Sequence, residues 1–302
     1  MGHDHSHAGH SHAGHSHAGH DDDGGVRPLY GVMALTALVF FVEIAGGWWT
    51  GSLALVADAA HMAVDLLGLS LSLFAALLAR LPADPKRTYG YRRVEVLAAM
   101  GNAIALMVAT GFLLREAWSR FAFPTPVAAG PMILVALVGL ACNAVSAAML
   151  WRGSRDNINM RGALLHVLSD GAGSMGAVVA GLIILKTRWY QADALVTVLI
   201  CGGIVLTAFW LLRDSVHILL EGAPEHIDLD EVRTALGAID GVSGVHDLHV
   251  WCLTQGQDAM SGHLVLAAGR DHAAALDAGK AVLADKFGIT HVTLQIETDE
   301  AR

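Results

Sequence analysis

The apolar positions of the chain fall into six long runs: Tyr30 to Trp49, Leu53 to Ala79, Val94 to Trp118, Pro131 to Trp151, Gly162 to Leu185 and Ala192 to Leu212. As helices, runs of this length can cross a hydrocarbon layer of about 30 Å. After Glu221 the pattern changes to short segments. Those with strand period alternate apolar and polar residues. The order reads helix (Leu229 to Ile239), strand (Val245 to Cys252), strand (Met260 to Ala267), helix (His272 to Phe287), strand (Val292 to Glu297). Such an α-β-β-α-β order predicts helices on one face of a small sheet. The expected fold is an α-helical membrane protein with a six-helix bundle over residues 29–220 and a small cytoplasmic α/β domain over 221–302. Residues 1–28 hold a repeating His-Ser-His-Ala-Gly tail with Asp21, Asp22 and Asp23. A tail of that composition buries no core and is expected to be disordered, its imidazoles gathering Zn²⁺ weakly.

Composition agrees with a membrane protein: 54% of residues are hydrophobic and 16% charged. Lys and Arg give the orientation. Arg80, Lys86, Arg87, Arg92 and Arg93 follow the second run, Arg152, Arg155 and Arg161 the fourth, and Arg213 ends the sixth. Both termini are therefore expected in the cytoplasm. Net charge is −9, and from Glu221 onward there are fourteen acidic and five basic residues, so the whole excess sits in the cytoplasmic part. A negative field there argues against nucleic acid as a partner. Cys142, Cys201 and Cys252 are scattered without a C-x-x-C pair, which signals neither a disulfide framework nor a thiolate cluster. The polar, His-rich start is unlike a secretory signal.

The candidate chemistry lies inside the second and fifth runs. His61 and Asp65 are four residues apart, as are His166 and Asp170. On a helix each pair presents one imidazole and one carboxylate on the same face. A charge near the bilayer centre costs roughly 2.5–3.5 kcal/mol, so these groups need an inward position and a partner. Counted from Leu53, His61 and Asp65 lie roughly 12 and 18 Å deep; counted from Met160 on the other side, His166 and Asp170 lie roughly 9 and 15 Å deep. All four fall near the midplane. Two imidazole nitrogens and two carboxylate oxygens suit a tetrahedral Zn²⁺.

Other polar positions read more plainly. Glu43 in the first run reads as a side chain bonded to a neighbouring helix, and Asp58 as either a group supporting the metal ligands or one solvated near the surface. Asn102 and Asn143 read as interhelical hydrogen-bonding groups, and Asp193 as the N-cap of the sixth helix. In the cytoplasmic part His246, His249, His263 and His291 fall in or beside strands, with Glu297 on the last strand, and strand ends brought together offer a second zinc site.

Several ordered motifs now coincide. Ser52-Leu-Ala-Leu-Val-Ala-Asp58-Ala-Ala-His61-Met, Arg87-Thr-Tyr-Gly-Tyr-Arg-Arg-Val-Glu95, His166-x-x-x-Asp170 and His249-Val-Trp251 together resemble the cation diffusion facilitators. The likeness runs from about residue 29 to 298 and is closest to bacterial zinc, cadmium and cobalt efflux members. It implies a homodimer in the inner (plasma) membrane, a ferredoxin-like cytoplasmic domain, and exchange of Zn²⁺ for H⁺ by alternating access. It implies that His61, Asp65, His166 and Asp170 form the intramembrane site, with His61 favouring zinc. It further implies that His246, His263 and Glu297 take cytoplasmic zinc, that Gln295 replaces a His used by some members, and that Arg93 and Glu221 form a charge interlock between protomers.

The motifs bear on rival readings too. There is no G-x-x-x-x-G-K-[ST], so transport is expected to draw on a gradient. A membrane-bound metal sensor has no need of ligands at the midplane. An intramembrane metalloenzyme needs an open metal position, and no H-E-x-x-H is present.

Overall fold

A computed structural model of the chain describes residues 23–79, 81–151, 158–254 and 256–298. The His-rich repeat, Arg80, Arg152 and Arg155 lie outside the described residues. Six helices form the bundle: α1 (Asp23–Thr50), α2 (Leu53–Ala79), α3 (Val94–Ala122), α4 (Ala129–Trp151), α5 (Ile158–Thr187) and α6 (Gln191–Leu219). All six contain a stretch long and apolar enough to cross a membrane. Several run past the apolar limits read from the sequence. Hydropathy marks where lipid would end, whereas backbone hydrogen bonding continues through polar residues such as Arg120, Arg161 and Arg213. For the same reason α1 begins at Asp23, so residues 23–28, assigned above to the tail, are helical.

Large apolar side chains such as Phe41, Leu67, Phe112, Leu134 and Leu199 are exposed, as lipid-facing residues are. The buried positions are dominated by alanine, including Ala54, Ala57, Ala103, Ala136, Ala177 and Ala208. In lipid, association cannot draw on the hydrophobic effect, and small residues let backbones approach closely enough to gain dispersion energy. α4 packs along α5 and α1, α3 along α6 and α2, and α2 meets α5 across the inside. The tight turn at Gly51, with φ +75°, reverses the chain between α1 and α2 as expected.

Asp193 does not cap its own helix. It lies inside the first turn of α6, after Tyr190, and its carboxylate accepts from Ser52 Oγ at 2.6 Å, Leu53 N at 2.6 Å and Ala54 N at 3.3 Å. It therefore closes the open N–H groups at the start of α2, and Arg120 Nη1 stands 3.9 Å away.

The C-terminal part contains α7 (Leu229–Gly237), β1 (Val242–Thr254), β2 (Gln257–Leu266), α8 (His272–Phe287) and β3 (His291–Thr298). β1 pairs antiparallel with β2, and β2 parallel with β3. Asp228 and Asp271 cap α7 and α8, accepting from Asp230 N and Ala273 N, each at 2.8 Å. Val232 and Leu236 of α7, Leu283 of α8, and Val250, Met260 and Leu264 of the sheet share one buried cluster. Both helices thus cover one face. The two parts of the chain touch where Thr254 Oγ1 donates to Glu95 Oε2 at 2.6 Å and where the rings of Tyr89 and His291 stand 5.6 Å apart.

Candidate metal centre

α2 and α5 bring His61, Asp65, His166 and Asp170 to one place. Asp65 Oδ2 is 3.4 Å from His61 Nε2 and 3.6 Å from His166 Nε2. Asp170 answers from the other side, with Oδ1 4.0 Å from His61 Nε2 and Oδ2 3.6 Å from His166 Nε2. The four contacts close a ring in which imidazole and carboxylate alternate. Atoms bound tetrahedrally to Zn²⁺ at about 2.0–2.1 Å lie about 3.4 Å from one another, close to these spacings. Asp65 Oδ2 and both oxygens of Asp170 are buried without a hydrogen-bond partner, as is His61 Nδ1. Buried acceptors left unpaired are costly, and among the described residues no Lys or Arg pairs with either carboxylate. A cation would satisfy them.

The ring opens on a cavity of about 680 Å³ between α2, α3, α5 and α6, whose wall includes Asp58, Asn102, Ser169 and Thr207. Asp170 is buried, whereas 44% of the His166 side chain is exposed, so an ion has a side of approach. Asp58 is 3% exposed, which removes the solvated-surface reading for it. Glu43 is fully buried and bonds through Ser174 Oγ on α5, as expected for a side chain paired to a neighbouring helix. Asn143 Nδ2, by contrast, has no hydrogen-bond partner.

In the C-terminal part His246 and His263 are direct partners across β1 and β2, and Glu297 comes from β3. Glu297 Oε2 is 3.0 Å from His246 Nε2, and Oε1 is 2.8 Å from His263 Nδ1. His263 Nδ1 makes no hydrogen bond despite that distance. Hydrogen bonds from His246 and then Gln295, whose Nε2 donates to Oε1 at 3.0 Å, hold the Glu297 carboxyl below the usual range. His249 Nε2 lies 3.0 Å from Asp247 Oδ1 instead, and Asp247 Oδ2 stands 3.6 Å from His263 Nε2. His291 is not in the cluster: it sits four registers from His263, about 13 Å along the strand, against Tyr89.

Residues 30–220 match the family model for the cation efflux transmembrane domain, and residues 224–299 match that for the cation efflux protein cytoplasmic domain. The chain belongs to the cation efflux family, the cation diffusion facilitators. It is accordingly a multi-pass membrane transporter and not an enzyme. Cation efflux relatives include the metal cation efflux system protein CzcD of Cupriavidus metallidurans, 43% identical over 298 residues, which cover 98% of this chain and 90% of that one. The zinc transporter ZitB of Escherichia coli is 40% identical over 299 residues, covering 98% and 93%. A Bacillus subtilis protein named cadmium, cobalt and zinc/H(+)-K(+) antiporter is 36% identical over 266 residues, covering 85% and 84%.

In this cation efflux protein Arg93 Nη2 donates to Glu221 Oε1 at 2.9 Å within a single chain. Arg93 precedes α3 and Glu221 follows α6, and these helices pack side by side with those ends together. The two residues expected in an interlock between protomers are thus brought together within one chain. Asp247 was not singled out by its sequence. It occupies a bulge in β1 with φ +51°, where the register shifts between His246 and His249. That turn aims its carboxylate at His249 and His263, and the hydrogen bond from His249 holds it below the usual range.

Proposed function

We propose that this cation efflux protein exports Zn²⁺, and with it Cd²⁺ and Co²⁺, from the cytoplasm in exchange for H⁺. The observation that carries the reading is the ring of His61, Asp65, His166 and Asp170, with spacings near the edge of a zinc tetrahedron and buried oxygens left unpaired. Binding Zn²⁺ requires neutral imidazoles and ionised carboxylates, so protons and metal compete for the same atoms. With a reference pKa of about 6.5, histidine changes state near physiological pH. Zinc loaded from the cytoplasm is carried to the other face when the helices rock. Protons displace it there and return as the site reopens. The names of the Escherichia coli and Bacillus subtilis relatives, a zinc transporter and a cadmium, cobalt and zinc/H(+)-K(+) antiporter, support both halves of this exchange.

The protein is read as a homodimer in the inner membrane with both termini in the cytoplasm and a boundary near residue 221 between bundle and cytoplasmic domain. The positive flanks of the second, fourth and sixth runs support that orientation. His246, His263 and Glu297 fit a resident zinc: three donor atoms lie within 4.8 Å of one another, and His263 Nδ1 lacks a hydrogen bond. A zinc held there would cross-link the three strands. The His-rich tail would gather zinc near the cytoplasmic mouth.

Reconstituted into vesicles with an acidic lumen, the protein is expected to accumulate zinc and to stop when a protonophore removes the gradient. Undiminished, gradient-driven uptake by Asp170→Ala would overturn the four-ligand mechanism.

A further inference from the structure

One turn beyond the four-ligand ring lies a second buried pair. Asp58 precedes His61 by three residues on α2, and Ser174 follows Asp170 by four on α5. Glu43 of α1 reaches the same Ser174 hydroxyl that Asp58 does. Ser174 Oγ lies 3.1 Å from Glu43 Oε1 and 3.4 Å from Asp58 Oδ2. Glu43 is fully buried and Asp58 3% exposed, and Glu43 Oε2 has no partner. The surrounding helices leave room for these groups and no more. A methyl on Gly139 of α4 would stand 2.5 Å from Glu43 Oε1, and one on Gly173 of α5 would stand 2.7 Å from Asp58 Oδ1.

The Ser174 hydroxyl has one hydrogen to give and ionised carboxylates only accept, so both of its contacts are hydrogen bonds only if one of the two carboxyls carries a proton. Asp170 from α5 is the other charged group that bears on both. α5 also offers the hydroxyl of Ser174, and among the described residues no cation is brought to the pair. Asp58 also lines the cavity shared with His61, Asp65 and His166. A divalent ion arriving one turn away favours the ionised form of both acids and so competes with their proton.

We propose that Glu43 and Asp58 hold one shared proton, which leaves for the transport cavity when zinc occupies the four-ligand ring and returns when the ion departs. The step is a simple dissociation: the acid and carboxylate become two carboxylates, and one H⁺ passes to the cavity. The pair is then a proton store beside the metal ligands, so the count of protons exchanged exceeds what the ligands themselves supply. This rests on the exchange reading above.

The test is the number of protons released per zinc bound, measured on the full-length protein by calorimetry in buffers of different ionisation enthalpy. The expected result is that Glu43→Gln binds zinc within about threefold of the parent and releases about one proton fewer. An unchanged proton count overturns the inference, and so does loss of zinc binding in a folded variant. A parent protein that releases no proton at all instead defeats the exchange reading itself, a distinguishable outcome. If Glu43→Gln does not fold, Asp58→Asn asks the same question, since sharing needs both carboxyls. The parent's zinc-induced infrared difference supplies a readout free of variants: the carboxylic-acid carbonyl band must weaken on zinc addition, and its persistence overturns the proposal.

Discussion

Asp65 Oδ2 stands 3.4 Å from His61 on its own helix and 3.6 Å from His166 on the facing one. One carboxylate oxygen therefore spans the α2–α5 interface at the depth of the proposed ion. Asp65→Asn preserves shape but removes the charge and the second strong acceptor. Zinc affinity is expected to fall by about 100-fold or more, read by competition with a chelating dye. Binding within threefold of the parent would remove Asp65 from the ligand set.

Asp193 gives a stability prediction. Its carboxylate satisfies two backbone N–H groups at the start of α2 and one hydroxyl. Asp193→Ala is expected to cost about 2 kcal/mol, measured as a lower unfolding midpoint in detergent. Zinc affinity should stay within a few-fold, because the ligands lie two to three turns deeper in α2.

The cytoplasmic cluster predicts a zinc-dependent change in the sheet. At a zinc concentration 100 times the Kd, linkage slows globally limited hydrogen exchange about 100-fold, equivalent to about 2.7 kcal/mol. Amides of β1, β2 and β3 in the full-length protein should show this protection, and Glu297→Ala should lose it. Equal protection in the variant would show that zinc acts elsewhere.

Asp84 provides a pH prediction outside the membrane. The backbone N–H of Lys86, 2.7 Å from its Oδ1, leads the contacts that hold this carboxyl below the usual range, followed by those from Arg87 and Tyr91. A depressed folded value means the turn is fully supported above the unfolded pKa of about 3.9 and loses that support as pH falls through the lower folded value. The Lys86 amide shift should therefore titrate below pH 3.9. A midpoint above 3.9 would contradict the geometry.

Cys252 should be chemically quiet. Burial, with the nearby Asp258 charge adding to it, pushes its thiol up to about 11, so little thiolate exists at neutral pH. In a protein retaining only this cysteine, alkylation at pH 7.5 should be much slower than that of a free thiol. Modification at the free-thiol rate would count against the half-buried placement.

Much of this arrangement is legible in the sequence because it depends on period alone. Apolar runs identify membrane helices, and His–Asp pairs at i, i+4 identify which helix faces must meet. What escapes is fixed by neighbours far along the chain. Asp193 looks like a cap for the helix it begins, yet its partners Ser52 and Leu53 lie about 140 residues away. Asp247 looks like one more polar strand residue until a left-handed backbone turn redirects it. His291 shares a sheet with His263, but parallel register sets it too far along the strand. The pairing of Glu43 with Asp58 likewise requires knowing that α1 lies beside both α2 and α4.

The alanine-lined interior has a mechanical consequence. Methyl groups make low ridges, so neighbouring helices of this bundle are not locked by deep interdigitation as leucine-rich coils are. Sliding or tilting one helix against the next breaks few close-fitted contacts and leaves similar ones behind, which keeps two packings near in energy. In the proposed exchange, the same smooth seams that let α2 and α5 approach closely would also act as bearings, on which they could part and let the ion go.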